Sequence, residues 1–416
     1  MSRSRIAGLP ELLAPAGDRE RLEAALQYGA DAVYLAGERF GMRSAPHNFT
    51  ADGIREAIAL CHRQGVQVHV TCNILPRCEE LDTLPAWLSL LDEAGADAII
   101  AADIGVMALV NRYAPHCALH VSTQFGVVNH LTATELYEQG AARVVLAREL
   151  SLDEIRAIRA RAPKELELEC FVHGAMCVSV SGRCLLSNYF TGRDANHGDC
   201  TQPCRWKYGL VESNRPDRVL TIGEEEGGSY ILNANDLCML EHIADLVQAG
   251  VSSFKIEGRA KAAYYVAVTT NAYRAALDGY AASGFDPDYR PAPWMRAELD
   301  RVSHRPYGTG FYFGMPSQET VVGGYVRDWE VVAVVEGYED GRLYLSQRNR
   351  FFAGETASVL TPDEEPFDLT LSPLFDPDGQ PLSVCPHPTM RLWMPCDRPL
   401  AKGSLLRCKR TEEESP

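Results

Sequence analysis

The sequence predicts an α/β protein: a (β/α)8 TIM-like barrel, a long cysteine-bearing insertion after strand 7, and a C-terminal all-β domain. A helical run followed by a glycine and a short apolar strand recurs along the first two thirds of the chain. The pattern is broken once, by a connection far longer than any other. Near residue 300 it gives way to short alternating strands with tight turns.

The recurring phrase reads "YGADAVYLAG" at 28–37, "QGVQVHVTCN" at 64–73, "AGADAIIAAD" at 94–103, "QGAARVVLARE" at 139–149 and "AGVSSFKIEGR" at 249–259. Gly29, Gly65, Gly95, Gly140 and Gly250 suit the left-handed position that ends a helix. The apolar run after each suits a strand covered on both faces. "ELLAPAG" opens the series, and "ALHVSTQ" at 118–124 and "ELECFVHG" at 167–174 bring the count to eight strands. Between them, segments such as "REAIALCHRQ" and "LPAWLSLLDEA" carry apolar residues at helical spacing. Eight strands alternating with helices imply a closed parallel barrel, whereas an open doubly wound sheet usually stops at about five or six.

Reacting groups in such a barrel sit where strands end. Here those positions hold Asn73, Asp103, Gln124, Arg148, Glu149, His173, Glu257 and Arg259. Asp103, His173 and Glu257 are the candidate catalytic residues. Helix capping or water binding is the competing role for each.

The barrel domain is expected over 1–285. A connection of this kind usually has about 2–6 residues, but residues 174–235 form an excursion over the catalytic face. "NANDLCMLEHIADLVQAG" then resumes the pattern, with Asn235 or Asp236 expected to cap a helix. "SGFDPDYRPAPWM" marks a linker at 286–300. Residues 301–416 read as a small β-barrel or sandwich, with "EDGR" as a hairpin turn.

A chain of 416 residues exceeds what one core usually sustains, which agrees with two domains. The net charge of −16 opposes indiscriminate nucleic-acid binding. Within 171–210, however, Arg183, Arg193, Arg205 and Lys207 face only Asp194 and Asp199. Such a basic island suits one specific anionic partner. No run reaches the roughly 18 apolar residues of a membrane span. "MSRSRIAGLPELLAPAGD" has no apolar core of a secretory signal, so a reducing, cytoplasmic setting is expected. Zincin, serine-hydrolase and P-loop motifs do not occur.

Four of the 13 cysteines, Cys177, Cys184, Cys200 and Cys204, fall within "HGAMCVSVSGRCLLSNYFTGRDANHGDCTQPCR". Disulfides, zinc, an iron–sulfur cluster and simple packing compete to explain them. A reducing setting disfavours disulfides, and a loop offers little core for packing. Structural zinc favours two short paired knuckles. The uneven spacing here suits an iron–sulfur cluster better, and zinc stays open on spacing alone.

Glu169, Phe171, Gly174, Ala175, Met176, Cys177, Gly182, Cys184, Leu186 and Ser187 fit the signature of the collagenase-like peptidase family of unknown catalytic type. The resemblance runs from "ELLAPAGD" through "FGMRSAPHNFT" and "SFKIEGRAKAAYYVA" into the C-terminal domain. Together with "LSNYFTGRDANHGDCTQPCRWKYGL", it points to the branch that makes 5-hydroxyuridine at the tRNA wobble position. That branch requires prephenate and an iron–sulfur cluster. Other relatives hydroxylate a ribosomal RNA cytidine or act in oxygen-independent ubiquinone synthesis. The family name leaves a peptidase as one alternative, and a non-enzymatic iron–sulfur scaffold for another RNA-modifying enzyme is a second.

The resemblance implies a [4Fe–4S] cluster on Cys177, Cys184, Cys200 and Cys204, with Cys238 as the rival fourth ligand. Prephenate is a small dicarboxylic acid, and its carboxylates suit the arginine fork. Arg43, Arg148 and Arg259 are the expected holders. An anticodon-loop base can stack on an aromatic ring while cations hold phosphates. Arg183, Arg193, Arg205 and Trp206 are the expected tRNA contacts, among Tyr189, Phe190, Lys207 and Tyr208. Private packing of the aromatics and ion pairing of the arginines are the competing roles.

Overall fold

The computed structural model describes residues 6–41, 48–176, 186–193, 199–203, 206, 209–212, 215–221, 235–315 and 326–409, with backbone alone for 209–212 and 215–221. Strands β1 (Glu11–Pro15), β2 (Ala32–Ala36), β3 (Gln67–Cys72), β4 (Ala98–Ala101), β5 (Ala118–Val121), β6 (Ala141–Val145) and β7 (Glu167–Ala175) pair in parallel in chain order. In the insertion, α8 (Leu186–Thr191) is followed by the hairpin β8 (Gly209–Glu212) and β9 (Arg215–Thr221). The chain then returns as β10 (Asp236–Cys238), antiparallel to β7. Strand β11 (Ser253–Ile256) pairs in parallel with both β7 and β1 and closes the barrel.

Helices α1 (Arg19–Gln27), α2 (Ala51–Arg63), α3 (Cys78–Leu81), α4 (Leu84–Ala94), α5 (Ile104–Tyr113), α6 (His130–Glu138), α7 (Leu152–Arg159), α9 (Ile243–Gln248) and α10 (Ala263–Ala282) belong to the βα units. Side chains cap several of them: Asp18 accepts from Arg21 N, Thr50 from Gly53 N, and Asn129 from Thr132 N. Gly29, Gly65, Gly95, Gly140 and Gly250 all have positive φ, as the repeated phrase requires. Between helices and strands lies the main core, which includes Leu22, Ile54, Leu88, Ile155, Phe254 and Leu277.

The barrel interior departs from the branched apolar filling usual for this fold. Glu11, His69, His120, Arg143, Glu169, Ser253 and Lys255 are buried there beside Leu13, Tyr34 and Ile100. Arg143 grips Glu11 with two bonds (2.6 and 3.1 Å) and reaches Glu169 (3.0 Å) and Glu167 (2.7 Å). Lys255 Nζ donates to Glu169 at 2.7 Å.

The expected linker is corrected over part of its length. Pro293 opens α11 (Pro293–Leu299), consistent with the preference of proline for a first helical turn. Similarly, Asp236 lies in a strand, where its side chain accepts from Arg305 N, and does not cap a helix. Strand β12 (Tyr307–Gly308) pairs with β10.

The C-terminal unit is antiparallel. Its strands are β13 (Trp329–Glu339), β14 (Arg342–Gln347), β15 (Phe351–Phe352), β16 (Thr356–Leu360), β17 (Phe367–Thr370), β18 (Leu374–Phe375), β19 (Pro381–Leu382), β20 (Val384–Cys385), β21 (Arg391–Pro395) and β22 (Leu405–Lys409). Eight of them form one sheet ordered β17-β16-β22-β13-β14-β21-β18-β19. Asp340 and Gly341, both at positive φ, make the tight turn between β13 and β14. The unit has its own core around Val335, Leu345, Phe351, Val359 and Leu406. It is joined to the barrel by Arg407, fully buried, which holds the Glu298 carboxylate of α11 with two bonds.

Candidate functional site at the barrel mouth and the insertion neck

At the carboxyl ends of the strands, polar side chains from four strands converge. Arg259, beyond β11, donates to Thr71 Oγ1 of β3 at 3.1 Å, so its guanidinium spans the lumen. Asn73 donates to Ser122 Oγ at 3.4 Å. Arg148, beyond β6, lies 3.8 Å from the Glu257 carboxylate through Nη2. Below this layer the Lys255 ammonium sits 4.6 Å from the Tyr34 ring centre, above the Arg143 network.

Of the expected catalytic residues, only Glu257 lines this mouth. Asp103 stands at the end of β4, but its carboxylate accepts from Val106 N and caps α5. His173 is corrected outright: it is fully buried among the rings of Tyr265, Tyr273 and Tyr307. The reason is a β-bulge. Phe171 pairs with Lys255, yet His173 pairs with the next residue, Ile256, so one extra residue in β7 reverses the alternation. Burial pushes the His173 imidazole down to about 3, and neither ring nitrogen has a hydrogen-bond partner.

The arginines expected to hold a small acid divide. Arg43 lies outside the described residues. Arg259 is buried at the mouth with one donor on Thr71. Arg148 is committed elsewhere, since Nη1 donates to the Ala175 carbonyl at 2.7 Å and the guanidinium stacks 3.7 Å from the Phe171 ring centre.

The insertion leaves and returns at one point, because Ala175 pairs with Asp236 and Gly174 with Leu237. Cys177, Cys184, Cys204, Arg183 and Arg205 lie outside the described residues. Cys200 is exposed. Its segment is tied to α8 through Ser187, whose Oγ accepts from Thr201 N at 3.0 Å and donates to Asp199 O. Cys200 thus sits beside Ser187, and it is the member of the expected ligand set that falls among the described residues. Cys238, the rival ligand, is half-buried in β10 with its thiol hydrogen-bonded to Tyr273; desolvation pushes that thiol up.

The described aromatic side chains of the insertion are exposed and form no private core. Tyr189 is 82% exposed, Phe190 47% and Trp206 45%. They adjoin one another, with ring centres 5.2 Å apart for Tyr189 and Phe190 and 6.1 Å for Phe190 and Trp206. Arg193 is exposed and pairs with Asp199 at 3.4 Å, which is the ion-pair role weighed for it.

Sequence reasoning missed the network inside the barrel. The runs "AARVV" and "SFKI" read as apolar strands, and only period-two alternation of Arg143, Glu169 and Lys255 would have placed those charges inward.

Comparison with known proteins places the chain. A protein named tRNA hydroxylation protein P1, from Bacillus subtilis (strain 168), is 36% identical over 405 residues, covering 96% of this chain and 94% of that protein. A second, named uncharacterized protease MJ0090, from Methanocaldococcus jannaschii, is 42% identical over 306 residues, covering 73% of each. A third, named 23S rRNA 5-hydroxycytidine C2501 synthase, from Escherichia coli (strain K12), is 39% identical over 268 residues, covering 64% of this chain and 39% of that protein. Residues 17–322 match Peptidase family U32 and residues 327–407 match the Peptidase family U32 C-terminal domain, so the chain belongs to Peptidase family U32.

Proposed function

We propose that this chain is an RNA-modifying enzyme that hydroxylates a pyrimidine base, and specifically the wobble uridine of tRNA to 5-hydroxyuridine. The observation that carries the reading is the full-length similarity to a protein named for tRNA hydroxylation. A relative named for 5-hydroxycytidine synthesis in ribosomal RNA supports the broader class. The surface row of Tyr189, Phe190 and Trp206 agrees with it, since unstacked bases bind aromatic faces.

Hydroxylation of a base is a two-electron oxidation that no side chain performs alone, so a redox group is required. Cys177, Cys184, Cys200 and Cys204 would hold a [4Fe–4S] cluster, which supplies electron transfer when bound. The chain's own residues bind and orient. The aromatic row takes the splayed base, Arg193 with Arg183 and Arg205 offers charge to the phosphates, and Glu257 is the titratable group at the mouth. Arg259, buried at the mouth, would receive a carboxylate of prephenate, with Arg43 as its proposed partner. The protein works in the cytoplasm on this reading; no described helix is long and apolar enough to cross a membrane.

A peptidase of the histidine-assisted type needs a histidine beside a nucleophile. Among the described residues, His173 is enclosed by tyrosines, and His69 and His120 lie inside the barrel. Mass spectrometry of tRNA nucleosides tests the proposal. A deletion strain should lose 5-hydroxyuridine-derived nucleosides, and the intact chain should restore them; unchanged nucleosides would refute it.

A further inference from the structure

We infer that Arg148 is a positioning residue that fixes where the cysteine-bearing insertion leaves the barrel. It rests on the reading that the insertion and the mouth act together on one RNA base. The guanidinium meets β7 and the residue after β11 at three places. Nη1 donates to the carbonyl of Ala175, the last residue of β7, at 2.7 Å. The planar face lies over the Phe171 ring with Cζ 3.7 Å from its centre. Nη2 stands 3.8 Å from Glu257 Oε2. Cys177 follows Ala175 by two positions.

The same strand end is held on its other sides by backbone. Gly174 has φ +107°, and a Cβ there would meet the Glu257 carbonyl oxygen at 2.3 Å. β10 pairs with Gly174 and Ala175. The Arg148 contact is the side-chain bond on Ala175 itself, contributed by the neighbouring strand unit, while Tyr312 and Tyr273 donate further back to the Phe171 and Val172 carbonyls.

The contact uses what distinguishes arginine. A planar fork can stack on a ring with its face while donating in its plane, and a lysine ammonium can satisfy only one of those demands at a time. With its side chain nearly buried, Nη1 bonded to Ala175 and Nη2 at ion-pair distance from Glu257, Arg148 acts through the strand it holds. Small displacements of this kind matter, because misplacing reacting groups by about 1 Å costs on the order of 100-fold in rate.

The test compares Arg148→Met and Arg148→Lys in the full-length chain by hydrogen exchange of the amides at 172–176, by tRNA affinity and by nucleoside analysis. Arg148→Met should speed exchange at those amides and lower 5-hydroxyuridine by at least about 10-fold, with tRNA affinity unchanged. Arg148→Lys, which keeps a donor for Ala175, should recover part of both protection and activity. Lost activity with unchanged exchange would overturn the inference and make Arg148 a ligand-contacting group. Faster exchange with full activity would overturn it equally. If the wild-type chain makes no 5-hydroxyuridine, the functional reading falls, and the exchange difference between the two variants still decides the positioning role.

Discussion

Lys255 and Glu169 meet at 2.7 Å inside the barrel, and both side chains are almost fully withdrawn from solvent. Burial alone would raise the Glu169 carboxyl, but Lys255 and Arg143 overcome it and hold the group below its ordinary value of 4.5. A carboxyl held low stabilises the fold above that value, and the contribution is lost as pH falls through the lower folded value. Glu169→Gln should therefore destabilise the protein at neutral pH by about 3–5 kcal/mol, because it leaves Lys255 buried without its charge partner. Urea unfolding at several pH values should also show the acid limb flattened in the variant.

His173 contributes in the same direction, through burial of a neutral ring instead of through an ion pair. Held down to about 3 by burial, it stays neutral in the folded chain and takes a proton on unfolding. Its contribution is complete above the ordinary 6.5 and erodes as pH falls toward about 3, by at most about 1.4 kcal/mol per pH unit. His173→Phe should remove that slope and leave tRNA hydroxylation intact. Loss of hydroxylation in a folded His173→Phe protein would return the residue to the chemistry.

The Arg407–Glu298 pair welds the C-terminal sheet to the barrel. Arg407→Met should cost about 3–5 kcal/mol, since it strands a buried carboxylate. Arg301, 3.0 Å from Glu298, softens that loss. Arg407→Met with Glu298→Leu should cost less than the sum of the single changes, and a double-mutant cycle in guanidinium measures the difference.

Iron and acid-labile sulfide distinguish the cysteines. In anaerobically purified protein, Cys177→Ser, Cys184→Ser, Cys200→Ser and Cys204→Ser should each deplete both elements. Cys238→Ser should not, because that half-buried thiol is engaged with Tyr273. Stoichiometric zinc without sulfide would reverse the assignment.

The aromatic row should be read out by RNA affinity. Trp206→Ala and Phe190→Ala should each weaken anticodon-loop binding by about 1–3 kcal/mol if a base stacks there. Arg193→Glu should reduce affinity and flatten its salt dependence. Binding indifferent to all three would place the RNA on another surface.

The barrel was legible because its signal is repeated: α1, α2, α4, α6 and α9 each end at a glycine with positive φ that leads into a buried strand. The mouth was legible where alternation held, as for Glu257 and Arg259. It failed at His173, because one bulged residue in β7 inverts every inference drawn by counting in twos. Helix α11 was hidden for a different reason, since prolines that announce a linker also open helices. The charged lumen was hidden because Arg143, Glu169 and Lys255 stand one to a strand among apolar neighbours, and their partnership exists only once the strands are adjacent.

The pairing of Ala175 with Asp236 makes residues 176–235 a pendant with a sealed collar. Because β7 and β11 form their own ladder, the wall of the barrel is complete without the pendant. Elongating or rebuilding it adds only a slowly growing closure entropy and leaves the register of the eight strands untouched. Whatever the pendant carries is delivered to the same rim of the barrel, so its chemistry can change while the vessel beneath it stays the same.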